Sequence, residues 1–136
     1  MNNCWVARAR VVVVGAGFAG ITLARALKRT AVDVLLIDRN NYHLFTPLLY
    51  QVGAAMLDPS SIAEPIRAQV RPLRNVEFRQ ALVEGFDLRR RRVLTDHGPV
   101  AYDKLVLAAG SATNHFGLKG MEAVSYTHLT LPTILR

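Results

Sequence analysis

Val11–Gly20, VVVVGAGFAG, is the segment around which the predicted fold of this 136-residue chain is built. Four consecutive valines favour a short strand buried on both faces, because β-branched side chains suit a pleated surface. Three glycines then follow at G-x-G-x-x-G spacing, and an apolar helical pattern begins after them. We expect Gly15 to allow a tight turn, Gly17 to let the backbone approach a pyrophosphate, and Gly20 to let helix and strand pack closely.

A second strand pattern, VDVLLID at Val32–Asp38, ends in a carboxylate about 20 residues beyond the glycines. At that position Asp38 can accept a hydrogen bond from a ribose 2′-hydroxyl. Strand, glycine turn, helix, strand and terminal acid together predict a dinucleotide-binding βαβ unit. The alternative for Asp38 is a solvated carboxylate at the end of a strand.

The composition excludes several classes of protein. With 51% hydrophobic and 20% charged residues, the chain is typical of a globular domain. No apolar run approaches the roughly 18 residues that a transmembrane helix needs. Cys4 is the only cysteine, which excludes an internal disulfide and a cysteine metal cluster and fits a reducing, cytoplasmic setting.

The formal net charge of +7 raises the question of a nucleic-acid partner. Arg89–Arg92 supplies four positive charges in one place, between two strand-like segments. There is no interleaved aromatic platform for bases and no nucleic-acid motif, so we predict no nucleic-acid partner. We interpret the arginines as a solvated turn, with attraction to an anionic membrane surface as the alternative.

The rest of the chain does not alternate simply between strands and helices. Arg39–Asp58 is apolar but aperiodic, so it either packs as a loop against the core or lines a flat apolar ligand. Ser60–Arg67 predicts a short helix, because Ser61 and Glu64 have capping-box spacing. Further strands are predicted at Asn75–Phe78, within Gln80–Asp87, at Val93–Thr95 and Val100–Tyr102, and at Lys104–Ala109, the last one buried.

The predicted fold class is therefore α/β: an incomplete Rossmann-like FAD-binding domain, in which a parallel sheet carries an inserted β-meander. The meander favours FAD over NAD as the bound dinucleotide, by analogy with flavoprotein folds.

Four segments resemble type II NADH dehydrogenase, the single-subunit NADH:quinone oxidoreductase: VVVVGAGFAG, IDRNNYHLFTPLLYQVG, SSIAEPIR and YDKLVLAAGSATNHFG. The resemblance covers Arg10–Gly120, and Asn41–Val52 is its most specific part. It implies an FAD-dependent enzyme that passes electrons from NADH to a membrane quinone. The alternatives are another flavoprotein, such as sulfide:quinone oxidoreductase or a ferredoxin reductase, and a non-catalytic nucleotide-binding module.

The resemblance also implies which residues contact FAD. The diphosphate would be bound by the backbone of Gly15, Gly17, Phe18, Ala19 and Gly20. The chain would run next to the diphosphate a second time at Ala109 and Gly110. Asp38 would bind the ribose with Arg39 alongside, and Val83 would lie near the adenine. The flavin ring would lie near Thr46, Pro47, Tyr50 and Gln51. Because the flavin carries the redox chemistry, no side chain is predicted to be catalytic. His43, His97 and His115 are predicted to be structural or exposed, and no metal site is predicted.

The resemblance further implies that residues 1–122 are the N-terminal part of an FAD-binding domain. The NADH-binding half, most of the quinone site and a membrane-attaching C-terminal segment are then expected in a longer parent enzyme, and the chain alone is expected to be inactive. The parent is expected to be cytoplasmic and peripheral on the inner face of the cell membrane, and the resemblance allows a homodimer.

Residues 123–136 are predicted to be a non-native tail. Val124–Thr133, VSYTHLTLPT, resembles the translation of a transposase adapter used to prepare sequencing libraries. The alternative is a natural Thr-rich strand, and the codons across these residues distinguish the two.

Overall fold

The computed structural model of the protein describes residues 8–111, so Cys4, His115 and the predicted tail at 123–136 lie outside the described residues. In chain order the elements are β1 (Ala9–Val14), α1 (Phe18–Ala26), β2 (Val32–Asp38), β3 (Tyr42–Leu44), α2 (Leu49–Gly53), β4 (Ala63–Pro65), α3 (Ile66–Val70), β5 (Val76–Gln80), β6 (Val83–Asp87), β7 (Arg92–Thr95), β8 (Gly98–Ala101) and β9 (Lys104–Leu107). None of the helices within residues 8–111 is long and apolar enough to cross a membrane.

The main sheet has the strand order β5-β2-β1-β9, and all of its pairs are parallel. Val11 lies opposite Val34 in β2 and opposite Lys104 in β9. The predicted βαβ unit is confirmed, and β2 has the bounds that its sequence pattern predicted.

Both faces of this sheet are covered, which explains the run of four valines in β1. Val11 and Val13 pack with residues of α1 and α3 on one face, and Val12 and Val14 pack with Val93 of the β-meander on the other. Because side chains alternate between the faces of a strand, a strand buried on both sides has no polar face.

The meander consists of β6, β7 and β8, which pair antiparallel in that order. It is inserted in the chain between β5 and β9, as predicted, and the α/β, Rossmann-like fold class is confirmed. The strand predicted at Asn75–Phe78 is found at Val76–Gln80 and belongs to the parallel sheet, where Phe78 lies opposite Leu36.

The helix predicted over Ser60–Arg67 is wrong. A 3₁₀ turn spans Pro59–Ser61, and it is capped by Asp58, whose Oδ1 accepts a hydrogen bond from the Ser60 amide at 2.8 Å. Glu64 then lies in β4, opposite His43 of β3. The helix begins only after Pro65, so strand pairing overrides the capping-box pattern, and the proline marks a break.

The expectation that Lys104–Ala109 is a buried strand is corrected in two respects. β9 ends at Leu107, and its residues are half-buried or exposed, with Leu107 itself 62% exposed. Within the described residues β9 lies at an edge of the sheet and pairs only with β1, so fewer neighbours cover it.

Phe45–Ile62 belongs to a second compact unit and is described by itself. The two ends of this segment are joined by a hydrogen bond from the Phe45 amide to the Ile62 carbonyl oxygen at 2.8 Å. Several of its large apolar side chains are exposed, Tyr50 at 68% and Met56 at 72%, whereas Ile62 is buried. The two alternatives predicted for Arg39–Asp58 both stay predictions.

Candidate functional site

The glycine turn, the end of β2 and the segment after β9 meet at the carboxyl edge of the parallel sheet. The Gly15 amide donates to the Ile37 carbonyl at 2.7 Å, and the Ala108 amide donates to the Val14 carbonyl at 2.8 Å. This edge is where open α/β sheets bind their ligands.

Gly15 and Gly20 are required by close backbone contacts. Gly15 has a φ of +104°, which favours glycine, and a Cβ there would overlap the Ala108 carbonyl. A Cβ on Gly20 would overlap the Gly15 carbonyl oxygen and lie 3.4 Å from Cδ1 of Leu36. The tight turn predicted at Gly15 is observed. Gly20 was predicted to let helix and strand pack closely, but its closest contact is with the turn itself, and the β2 side chain of Leu36 lies farther away. The predicted contact of both glycines with a diphosphate stays a prediction.

Gly17 differs, because a Cβ at this position would have no neighbour within 4 Å among residues 8–111. Its φ of −78° is ordinary, so the backbone itself tolerates other residues. Gly17 is the N-cap of α1, it offers no capping side chain, and the first helical turn contains no acidic residue. The positive end of this helix therefore adjoins open space, an arrangement suited to an anionic group.

Asp38 connects the glycine turn after β1 with the carboxyl end of β2. Its Oδ2 accepts a hydrogen bond from the Ala16 amide at 2.6 Å, and its Oδ1 accepts one from the Asn40 amide at 2.8 Å. The carboxylate thus holds the glycine turn against the end of β2. Because a carboxylate has about four acceptor positions, two remain for hydroxyl groups of a ligand.

We expect Asp38→Ala to lower the free energy of unfolding by roughly 1.5–3 kcal/mol, because hydrogen bonds to a half-buried charged acceptor are lost. Urea unfolding of the purified chain measures this change. Asp33→Ala in the same strand is the matched control, since its carboxylate makes an exposed ion pair with Arg8 at 3.7 Å, and such pairs contribute little. Equal losses in the two variants would contradict the anchoring role of Asp38.

Several other predicted residues lie at the same edge. A Cβ on Gly15 would be 3.0 Å from the Ala109 amide nitrogen, so the second glycine-bearing motif adjoins the first. Gly110 has a φ of +73°. Arg39 is exposed, and its carbonyl accepts a hydrogen bond from Nε2 of Gln80 at 3.1 Å. Val83 begins β6 and packs partly buried against the core.

Thr46, Pro47, Tyr50 and Gln51 belong to the second unit. Thr46 and Pro47 lie in a 3₁₀ turn, and the Tyr50 hydroxyl accepts a hydrogen bond from Nε2 of Gln51 at 2.9 Å. Their predicted approach to a flavin ring stays a prediction.

Three residues of this edge were missed by sequence reasoning: Ala16, Asn40 and Ala108. They contribute backbone atoms, which side-chain patterns do not report. Only Asn40 had a usable signal, because an aspartate two residues before it is typical of an Asx turn. The ring of His43 contacts Phe18 edge-on at 4.8 Å between centroids, which agrees with a structural role for this histidine.

Comparison with known proteins gives a family match along most of the chain. Residues 9–133 match the family model described as pyridine nucleotide-disulphide oxidoreductase. The chain is 41% identical over 114 residues to the type II NADH:quinone oxidoreductase Ndh of Mycobacterium tuberculosis, an alignment that covers 81% of this chain and 25% of that protein. The predicted resemblance is confirmed, and the chain spans about a quarter of the length of this relative.

Solved structures have the same fold. NDH2 of Plasmodium falciparum in complex with NADH aligns with a TM-score of 0.76 at 23% identity, over 85% of this chain and 25% of that one. The sulfide:quinone oxidoreductase of Aquifex aeolicus aligns with a TM-score of 0.75 at 28% identity, over 95% of this chain and 32% of that one.

Proposed function

The chain belongs to the pyridine nucleotide-disulphide oxidoreductase family, and we propose that it forms the first part of the FAD-binding domain of an NADH:quinone oxidoreductase. The observation that carries this proposal is the open space at Gly17, beside the N-terminus of α1 and between two close-packed glycines. No atom of residues 8–111 lies within 4 Å of a Cβ built on Gly17, which leaves room for a phosphate group beside the helix N-terminus.

Each neighbouring residue has a role in this proposal. The backbone amides at the start of α1 bind the diphosphate, and the remaining acceptor positions of Asp38 bind ribose hydroxyls. Ala109 and Gly110 border the diphosphate from the end of β9. When bound, FAD supplies the redox chemistry, which is transfer of two electrons from NADH to a quinone.

Similarity to the M. tuberculosis relative at 41% identity supports NADH and quinone as the substrates of the whole enzyme. The inner face of the cell membrane as its location, a membrane-attaching C-terminal segment and a homodimer stay predictions, as do the boundary at residue 122 and the adapter origin of residues 123–136.

A chimera tests the function directly. Residues 8–111 replace the corresponding segment of M. tuberculosis Ndh, and we expect the purified chimera to retain FAD and to reduce quinone with NADH. Flavin absorbance that elutes with the protein and the rate of NADH oxidation measure the two properties. A folded chimera without flavin would contradict the proposal, and one with flavin but no turnover would favour the nucleotide-binding module.

Sulfide:quinone oxidoreductase is the second candidate, because its structure covers 95% of this chain at 28% identity. Such an enzyme needs redox cysteines, and the chain contains only Cys4. Sulfide-dependent quinone reduction, assayed in a longer protein that contains this chain, separates the two candidates.

A further inference from the structure

Four consecutive exposed arginines, Arg89–Arg92, follow β6: the first three lie in the turn between β6 and β7, and Arg92 is the first residue of β7. The side chain of Arg90 is 78% exposed and forms an ion pair with Asp87 at 3.7 Å. This is the only ion pair that the turn makes within residues 8–111. Most of the positive charge of the turn is therefore available to an external anion.

The backbone of this turn is held at both ends. The Arg90 amide donates to Oδ1 of Asp87 at 3.0 Å, and the Arg91 carbonyl accepts a hydrogen bond from the Tyr102 amide at 3.0 Å. Arg91 has a φ of +51°, a conformation that residues other than glycine rarely adopt. The guanidinium groups are therefore presented from a fixed backbone, which reduces the entropy lost on binding.

An apolar side chain lies within the same turn. Leu88 precedes the arginines and is 69% exposed, and Phe86 of β6 is 41% exposed. Guanidinium groups bind phosphate oxygens through paired hydrogen bonds, and an exposed leucine enters the acyl region below them. A basic turn that also exposes a leucine fits a phospholipid surface better than a single-stranded nucleic acid, which would call for aromatic platforms among the arginines.

The turn lies at the end of the sheet opposite the nucleotide site. Tyr102, its hydrogen-bond partner, is followed by Asp103, which exchanges two hydrogen bonds with the backbone of Arg10 at the start of β1. The glycine turn follows the other end of β1, a strand of six residues that is about 20 Å long. A surface bound to the arginines therefore leaves the glycine turn accessible.

We propose that the Arg89–Arg92 turn, together with Leu88, docks on a bilayer that contains anionic phospholipid. This contact is separate from the proposed function, and it does not require a bound cofactor.

Sedimentation of the purified 136-residue chain with vesicles tests the proposal. We expect binding to vesicles of equal parts phosphatidylcholine and phosphatidylglycerol, weak binding to phosphatidylcholine alone, and loss of binding as salt rises. Arg89→Gln/Arg90→Gln is expected to weaken vesicle binding roughly 25-fold, at about fivefold for each arginine near an anionic surface.

Arg25→Gln/Arg67→Gln is the matched control, because it removes the same charge from the exposed faces of α1 and α3. We expect this control to change vesicle binding by about twofold or less, since screening confines the effect to charges close to the lipid. Leu88→Ser is expected to reduce the binding that persists at high salt. Far-UV circular dichroism verifies that every variant is folded.

Three results would overturn the proposal. Equal losses in the turn variant and the control would mean that only net charge matters, and equal binding to neutral vesicles would exclude anionic headgroups. Tighter binding to duplex DNA than to anionic vesicles, with the loss in the turn variant confined to DNA, would assign the arginines to a nucleic acid.

Discussion

Replacing Gly20 by alanine is expected to lower the free energy of unfolding by about 3 kcal/mol or more, at the upper end of overpacking effects. The added Cβ would overlap the carbonyl oxygen of Gly15, which is a backbone atom and cannot rotate away. Gly15 is itself fixed by its φ of +104° and by Ala108, so relief requires the whole turn to move. Urea unfolding followed by circular dichroism measures the loss.

Gly53→Ala is the matched control for this prediction. Gly53 ends α2, and within the described residues a Cβ there would have no neighbour within 4 Å. Alanine is favoured over glycine in helices by roughly 1 kcal/mol, so this variant is expected to be as stable as the parent or slightly more stable. An unchanged unfolding midpoint for Gly20→Ala would contradict the close contact with Gly15.

Gly17→Val is expected to abolish FAD retention while leaving the fold intact. Gly17 has an extended backbone, with φ −78° and ψ −163°, which a β-branched residue accepts without strain. The valine side chain would occupy the open space proposed for the diphosphate. We expect FAD affinity to fall at least about 100-fold, because each lost hydrogen bond to a charged phosphate contributes roughly 1.5–3 kcal/mol.

Titration of FAD onto the chimera, after removal of its flavin, measures this loss. Gly17→Ala adds a smaller side chain and should weaken FAD binding less than Gly17→Val. Gly85→Val in β6 is the control, because among residues 8–111 a Cβ there meets only the flexible Leu94 side chain, at 3.7 Å. Unchanged FAD affinity in Gly17→Val would place the diphosphate elsewhere, whereas an unfolded variant would contradict the open space described at Gly17.

Local sequence patterns predicted elements correctly where local and tertiary preferences agree. Val11–Val14 and Val32–Asp38 are strands because a continuous apolar run suits only a strand covered on both faces. The pattern at Ser61 and Glu64 predicted a helix that is not formed. There β4 pairs with β3, a partner about 20 residues earlier in the chain, and no local pattern reports such a partner.

The sequence by itself determined the βαβ unit, the position of the glycine turn and the presence of a carboxylate at the end of β2. These three features depend on residue type and on short spacings along the chain, and both can be read directly from the sequence. Only the tertiary structure decided why each glycine is needed. A side chain at Gly15 is excluded by the carbonyl of Ala108, which is 93 residues later in the chain, and one at Gly20 by the carbonyl of Gly15. At Gly17 no atom of the described part of the chain lies within 4 Å of the added Cβ. It also decided that Asp38 binds the Ala16 amide. The physical reason is that at least one partner in each of these contacts is a backbone atom, whose position depends on strand pairing and not on the identity of its own side chain.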